Sequence, residues 1–344
     1  MKRIAFYDTK PYDRLWMDKL KGEHGLTIKY FESKLNADTV TLSKGCDGVI
    51  AFVNDTIDKT VLCSLYDYGI RILALRSAGY NNVDFQAAYE RVHVVRVPAY
   101  SPHAVAEHAM ALLLSLNRKI HRAYNRTRDF NFNISGLIGF DLYGKTIGVI
   151  GTGKIGRIFI NICKGLGMNV IASDPYPADD IDVEYVPIEE LLRKSDIISL
   201  HCPLTPHTHH LLDEKALSLT KRGIYIINTS RGALIDSEAL LFAIKEGRIG
   251  GAGLDVYEEE SDLFFEDFSN TIIQDDILAR LVSMPNVLIT SHQGFLTAEA
   301  LESIARITLG NIKEYFETGN LPNEICYQCE KQSSCPKDHV EPCF

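Results

Sequence analysis

Short runs of continuous apolar residues alternate along the chain with longer segments in which apolar positions recur every three or four residues. In the first hundred residues the runs fall at 3–7, 48–53, 71–75 and 92–97. A second series follows at 146–150, 169–173, 196–200, 223–228, 250–255 and 286–290. Runs of this length, rich in Val and Ile, suit strands of a parallel sheet covered by helices on both faces. Two βα series predict an α/β chain of two doubly wound, Rossmann-like lobes with parallel sheets and an active site in the cleft between them.

The boundary between the series is Val97-Pro98-Ala99-Tyr100-Ser101-Pro102, in which Ser101 suits a helix N-cap and Pro102 the first helical position. The segment 104–117 is apolar on most faces and predicts a helix buried between lobes or against another subunit. A further helical pattern over 298–316 stops at Thr318-Gly319-Asn320-Leu321-Pro322. The chain is thus expected to form one discontinuous domain from 1–100 and 298–324, a second domain over 101–297, and an extension over 325–344.

Composition narrows the class. Of 344 residues, 46% are hydrophobic and 24% charged, enough apolar surface for more than one core and too much for a disordered chain. A net charge of −9 argues against duplex nucleic acid or an anionic membrane as partner. The apolar stretch at the start is interrupted by Asp8 after four residues, and the run 109–114 is far below the roughly 20 residues that span a bilayer. A cytoplasmic protein is expected. Cys46, Cys63, Cys163 and Cys202 lie in apolar surroundings and read as buried thiols.

The chemistry starts at Gly151-Thr152-Gly153-Lys154-Ile155-Gly156, which closes one predicted strand and opens a helix. In this fingerprint Gly151 permits the tight turn, Gly153 lets a pyrophosphate approach the backbone, and Gly156 lets helix and strand pack closely. The helix N-terminus offers amides and partial positive charge to phosphates. Asp174 ends the next strand, 18 residues after Gly156, where it can accept from both ribose hydroxyls and would repel a 2′-phosphate. The cofactor expected is NAD rather than NADP. Further segments end strands of the same lobe: Asn228-Thr229-Ser230-Arg231-Gly232, Asp255-Val256-Tyr257-Glu258-Glu259-Glu260, and Ser291-His292-Gln293-Gly294. Ligands of open parallel sheets bind beyond the carboxyl ends of strands, so an arginine, an acid and a histidine would face the nicotinamide. Composition alone does not choose among the three glutamates. His207-Thr208-His209-His210 has the look of a metal cluster but lies in a Pro-flanked loop and reads as a solvated turn, so no metal is assigned.

These stretches, with Ser77-Ala78-Gly79-Tyr80-Asn81-Asn82-Val83-Asp84, His201-Cys202-Pro203-Leu204-Thr205-Pro206 and His292-Gln293-Gly294-Phe295, resemble the D-isomer-specific 2-hydroxyacid dehydrogenases, and within them the fermentative D-lactate dehydrogenases. The resemblance runs from residue 1 to about Glu324. It implies reduction of pyruvate to D-lactate by hydride from NADH, with His292 as acid–base, Glu260 as its carboxylate partner, and Arg231 holding the substrate carboxylate. Ala78 and Gly79 would offer backbone amides to that carboxylate, while Phe52, Tyr100 and Phe295 would line the space for a small methyl group. Lys154, Ile155, Cys202, Pro203, Thr208, Thr229, Ser230 and Asp255 join Gly151, Gly153, Gly156 and Asp174 as implied cofactor contacts, Asp255 accepting from the nicotinamide carboxamide. A homodimer or homotetramer through the 102–120 helix region is expected. Two alternatives stay open: a dehydrogenase for a larger 2-oxo acid, and a non-catalytic NAD-sensing protein like the family's corepressors. The family pattern ends near Glu324, so Cys326, Cys329, Cys335 and Cys343 stand apart. Their spacing, C-x2-C-x5-C-x7-C, fits no common zinc pattern. The tail is read as a dispensable extension, with a metal or disulfide clip, aided by His339, as the alternative.

Overall fold

A computed structural model describes residues 1–260 and 263–326. It divides into two compact units: Met1–Ser101 together with the segment from Leu296 onward, and Pro102–Phe295.

The first unit carries β1 (Lys2–Phe6), β2 (Leu26–Tyr30), β3 (Gly48–Ala51), β4 (Ile72–Leu75), β5 (His93–Val95) and, at the far end of the chain, β13 (Glu324–Ile325). The sheet order is β13-β5-β4-β3-β1-β2, parallel throughout except for β13, which runs antiparallel to β5. Alternate residues of each central strand enter different cores. Val49, Ala51, Leu73 and Leu75 pack with Val61, Leu62 and Leu65 of the helix Lys59–Asp67. Ile50, Ile72 and Ala74 pack on the other face, with Met17 and Leu20 of the helix Pro11–Leu20 and with Leu309 and Ile312 of the helix Ala298–Thr318. Burial on both faces is why these strands read as continuous apolar runs.

The second unit carries β6 (Thr146–Ile150), β7 (Asn169–Ser173), β8 (Glu184–Tyr185), β9 (Ile197–Leu200), β10 (Ile224–Asn228), β11 (Ile249–Leu254) and β12 (Val287–Ile289). These form an all-parallel sheet in the order β12-β11-β10-β9-β6-β7-β8. Strand order reverses at β6, whose neighbours are β7 and β9, and such a reversal opens a crevice beyond the strand ends. The helix Pro102–Arg118 buries Ala106, Ala109, Leu113 and Leu116 against Ile147, Val149, Phe159 and Ile160 of this unit.

Each apolar run of the two series carries a strand. β2 was not expected, and its pattern explains why. It is an edge strand that buries Leu26 and Ile28 and exposes Thr27 and Lys29, so it alternates instead of running apolar throughout. The strands β8 and β13 are only two residues long. The end of the chain differs from expectation in one respect. Ile325 pairs with Val94 and belongs to the first unit's core, and Cys326 is also buried, so the segment 325–344 does not begin as a detached extension. Cys329, Cys335, His339 and Cys343 lie outside the described residues. Among the described residues, no helix is long and apolar enough to cross a membrane.

Candidate functional site

The glycine turn lies at the point where strand order reverses. Gly151 follows β6 with φ 96°, and a Cβ there would stand 2.7 Å from the backbone of His201 and Cys202 beyond β9. A Cβ on Gly156 would collide with the Gly151 carbonyl, so the helix Lys154–Gly165 starts as close to the strand as a glycine allows. Gly153 differs. It is the N-cap, no side chain caps the helix, and nothing lies within 4 Å of where its Cβ would be. Open space above uncapped amides fits a dinucleotide pyrophosphate. Lys154 and Ile155 are the first residues of that helix.

Asp174, one residue past β7, is tied back to the turn. Its Oδ2 accepts from the Thr152 amide at 2.6 Å and the Thr152 hydroxyl at 3.0 Å, and its Oδ1 accepts from the Tyr176 amide at 2.8 Å. Cys202 and Pro203 follow β9. Burial pushes the Cys202 thiol up to about 11, and its carbonyl accepts from the Ser230 hydroxyl at 2.6 Å. The Thr208 hydroxyl donates to the Pro203 carbonyl at 2.7 Å. Thr229, just past β10, is buried, and its hydroxyl makes no hydrogen bond among the described residues. An orphaned hydroxyl at an expected cofactor contact fits a polar ligand group.

The three candidate catalytic side chains sit on turns beyond β10, β11 and β12. Arg231 is held by Asn228, whose side chain donates to the Arg231 carbonyl at 2.8 Å and accepts from the Ser230 amide at 3.0 Å. The next residue, Gly232, approaches the Tyr257 backbone so closely that a Cβ would overlap it. That contact brings the arginine turn against the segment ending in Glu260.

Glu260 and His292 meet directly. His292 Nδ1 lies 2.7 Å from Glu260 Oε1, and the other carboxylate oxygen accepts from the Tyr257 amide at 2.9 Å. The three adjacent glutamates go different ways: Glu259 is exposed, and Glu258 turns to His210, with Oε1 2.5 Å from Nε2. Nδ1 is engaged, and among the described residues no hydrogen bond is made by His292 Nε2.

His292 adopts φ 48°, a left-handed conformation unfavourable for a residue with a Cβ. Asp255 holds it there. Its carbonyl accepts from the His292 amide at 2.7 Å. Its carboxylate accepts from the Thr290 hydroxyl at 2.5 Å and from the amides of Gln293 and Gly294 at 2.9 and 2.7 Å. His108 Nε2 approaches the same carboxylate at 3.1 Å. Asp255 is 1% exposed, and its carboxylate clamps the histidine turn, Oδ1 through Thr290 and Gln293 and Oδ2 through the Gly294 amide.

The remaining candidates belong partly to the first unit. Phe52 follows β3; its amide donates to Asp55 Oδ2 at 2.6 Å, and the Arg76 guanidinium lies 3.7 Å from the centre of its ring. Ala78 and Gly79 follow β4, with the Ala78 carbonyl accepting from Arg96 at 2.8 Å. Tyr100 is half-buried in the first unit, and Phe295 is buried in the second. Sequence reasoning singled out the motif containing Asn228 and Gly232 without giving those two a role, and it missed His108 and Thr290; all four act through other residues. In the 207–210 loop, read as a solvated turn, His207 and His209 are exposed, while His210 is half-buried and bonded to Glu258.

Comparison with known proteins identifies the family. The family described as D-isomer specific 2-hydroxyacid dehydrogenase, NAD binding domain, matches residues 110–294. The chain is 52% identical over 327 residues to the D-lactate dehydrogenase of Escherichia coli strain K12, covering 94% of this chain and 99% of that one. Among solved structures, the apo D-lactate dehydrogenase from Escherichia coli gives a TM-score of 0.87 at 48% identity, covering 94% of this chain and 99% of that one. The pyruvate reductase of Chlamydomonas reinhardtii gives 0.88 at 41% identity, covering 92% and 96%.

Proposed function

The chain belongs to the D-isomer-specific 2-hydroxyacid dehydrogenases, and from that premise we propose that it is an NAD-dependent D-lactate dehydrogenase reducing pyruvate to D-lactate. The observation that carries the reading is the His292–Glu260 pair on the turns beyond β12 and β11, beside the Arg231 turn.

NADH, when bound, supplies the hydride. The chain's residues do the rest. Protonated His292 donates from Nε2 to the developing alkoxide, and Glu260 keeps the proton of the other nitrogen on Nδ1 and stabilises the imidazolium. Arg231 binds the substrate carboxylate through a planar fork of donors and withdraws charge from the adjacent carbonyl. Ala78 and Gly79 add backbone amides to the carboxylate. Phe52, Tyr100 and Phe295 restrict the side chain to the size of a methyl. Asp174 takes the adenosine ribose and selects NAD, with Gly151, Gly153, Gly156, Lys154, Ile155, Cys202, Pro203, Thr208, Thr229 and Ser230 completing the cofactor contacts and Asp255 acting through the His292 turn.

The protein works in the cytoplasm as a homodimer or homotetramer through the 102–120 helix region. Two features support self-association. A groove of about 600 Å³ is lined by His103, Glu107, Met110, Leu114, Ile158 and Ile162. Phe130, Phe132, Ile134 and Ile138 beyond it are 72–85% exposed. Light scattering reads the subunit number. Steady-state NADH oxidation across a panel of 2-oxo acids tests the chemistry. Pyruvate should give the highest kcat/KM; a preference for a bulkier acid overturns the substrate, and no turnover overturns the enzyme.

A further inference from the structure

The dehydrogenase chemistry leaves the histidines of Pro206-His207-Thr208-His209-His210 without a role. The structure gives them a setting. His210 adopts φ 51°, its amide donates to the Ala233 carbonyl at 2.8 Å, and a parallel bridge pairs Leu212 with Ile235. The loop beyond β9 is thereby docked on the segment leading into the helix Ser237–Lys245. The rings of His209 and His210 stack with centroids 4.0 Å apart. One ligand atom from each of His209, His210 and Glu258 lies within 4.8 Å of the others.

We propose that His209, His210 and Glu258 form a binding site for a divalent transition-metal ion of the zinc class, an assignment independent of the dehydrogenase reading. Two imidazoles and a carboxylate are a zinc donor set that leaves a fourth position for water. The imidazoles disfavour calcium and magnesium, which take oxygen ligands. Donors around tetrahedral zinc stand about 3.4 Å apart, so closing the set requires His210 Nε2 and Glu258 Oε1 to move apart from 2.5 Å and the exposed His209 ring to unstack from His210. An entering metal would replace the hydrogen bond between His210 Nε2 and Glu258 Oε1, 2.5 Å apart, and release its proton. His210 Nδ1 lies 3.7 Å from Asp236 Oδ2, beyond hydrogen-bond distance but near enough for that carboxylate to become its partner through the other nitrogen. A bound ion would clip the loop beyond β9 to the segment that ends in Glu260.

The experiment titrates the full chain, stripped with a chelator, with Zn²⁺ and with Co²⁺ as spectroscopic probe. A Cys329→Ser, Cys335→Ser, Cys343→Ser variant removes competing thiols. Both proteins should bind one equivalent, with no thiolate-to-cobalt charge-transfer band in the triple variant. His209→Ala should weaken Zn²⁺ binding at least tenfold while leaving metal-free kcat unchanged, and Glu258→Gln should weaken it as well. Unchanged Zn²⁺ affinity in His209→Ala, loss of binding in the triple-serine variant, or no binding by the wild type overturns the proposal.

Discussion

His292 and Glu260, 32 positions apart in sequence, are joined Nδ1 to Oε1 at 2.7 Å, with the far carboxylate oxygen pinned by the Tyr257 amide. In the proposed reaction the pair acts as a unit, the carboxylate fixing the ring and Nε2 handling the proton. His292→Ala should lower kcat by about 10²–10⁴, the scale of a lost general acid. Glu260→Gln should cost less, and Glu259→Gln, which alters an exposed side chain, should leave kcat intact. Stopped-flow NADH oxidation reads all three. Equal losses from Glu259→Gln and Glu260→Gln would remove the special role of the pair.

Arg231→Lys should raise KM for pyruvate and lower kcat, for a combined loss of about 1.5–3 kcal/mol in kcat/KM. The ammonium is a point charge that cannot reproduce two parallel charged hydrogen bonds. An unchanged kcat/KM would show that Arg231 does not touch the substrate.

Asp174→Ala should weaken NADH binding and narrow the preference for NADH over NADPH. It also frees the Thr152 amide and hydroxyl that Asp174 now engages, so some local loosening of the glycine turn accompanies it. Fluorescence titration with both cofactors separates the two effects. A wild type that binds NADPH as tightly as NADH would make the assignment untenable.

The sequence suggests that a chain ending at Glu324 keeps kcat/KM for pyruvate within about threefold. The structure adds a stability cost. Ile325 pairs with Val94 and is 8% exposed, and Cys326 is 4% exposed. Ending the chain at Glu324 should therefore cost about 2 kcal/mol relative to ending it at Cys326, the scale of burying one Ile side chain. Urea melts of the two shortened proteins make the comparison, and coincident midpoints would refute it.

Asp55 sets a pH dependence of stability. Its carboxylate is 2% exposed and accepts from the Leu35 and Phe52 amides, both at 2.6 Å. Burial dominates and raises its pKa from 3.8 to about 6. The folded state thus holds its proton at a pH where the unfolded chain has released it. Its favourable contribution is full below the unfolded value and is lost as pH rises from about 4 to 6, by on the order of 2–3 kcal/mol. Asp55→Asn lacks this titration. Its stability relative to wild type should improve by that amount across the window in pH-resolved chemical denaturation. A constant difference would mean the carboxyl ionises normally.

The strands, the glycine fingerprint and the acid beyond β7 were legible in the sequence because each is a local pattern. A strand buried on both faces must be apolar throughout, and a turn that meets a phosphate must have glycine where a Cβ would intrude. The family register pointed to Glu260 among three adjacent acids, but only the fold separates them, sending Glu258 to His210 and leaving Glu259 in solvent. The same holds for Asp255. In sequence it is an acid at a strand end, whereas in three dimensions it gathers Thr290, Gln293, Gly294 and His108 and so holds the backbone of His292. Hydrogen bonds between turns on separate strands depend on how those strands are ordered in the sheet, and no periodicity along the chain records that order. The edge strand β2 and the two-residue β13 were invisible for a related reason: a strand with one wet face or two residues has little apolar signal until its neighbour supplies the pairing.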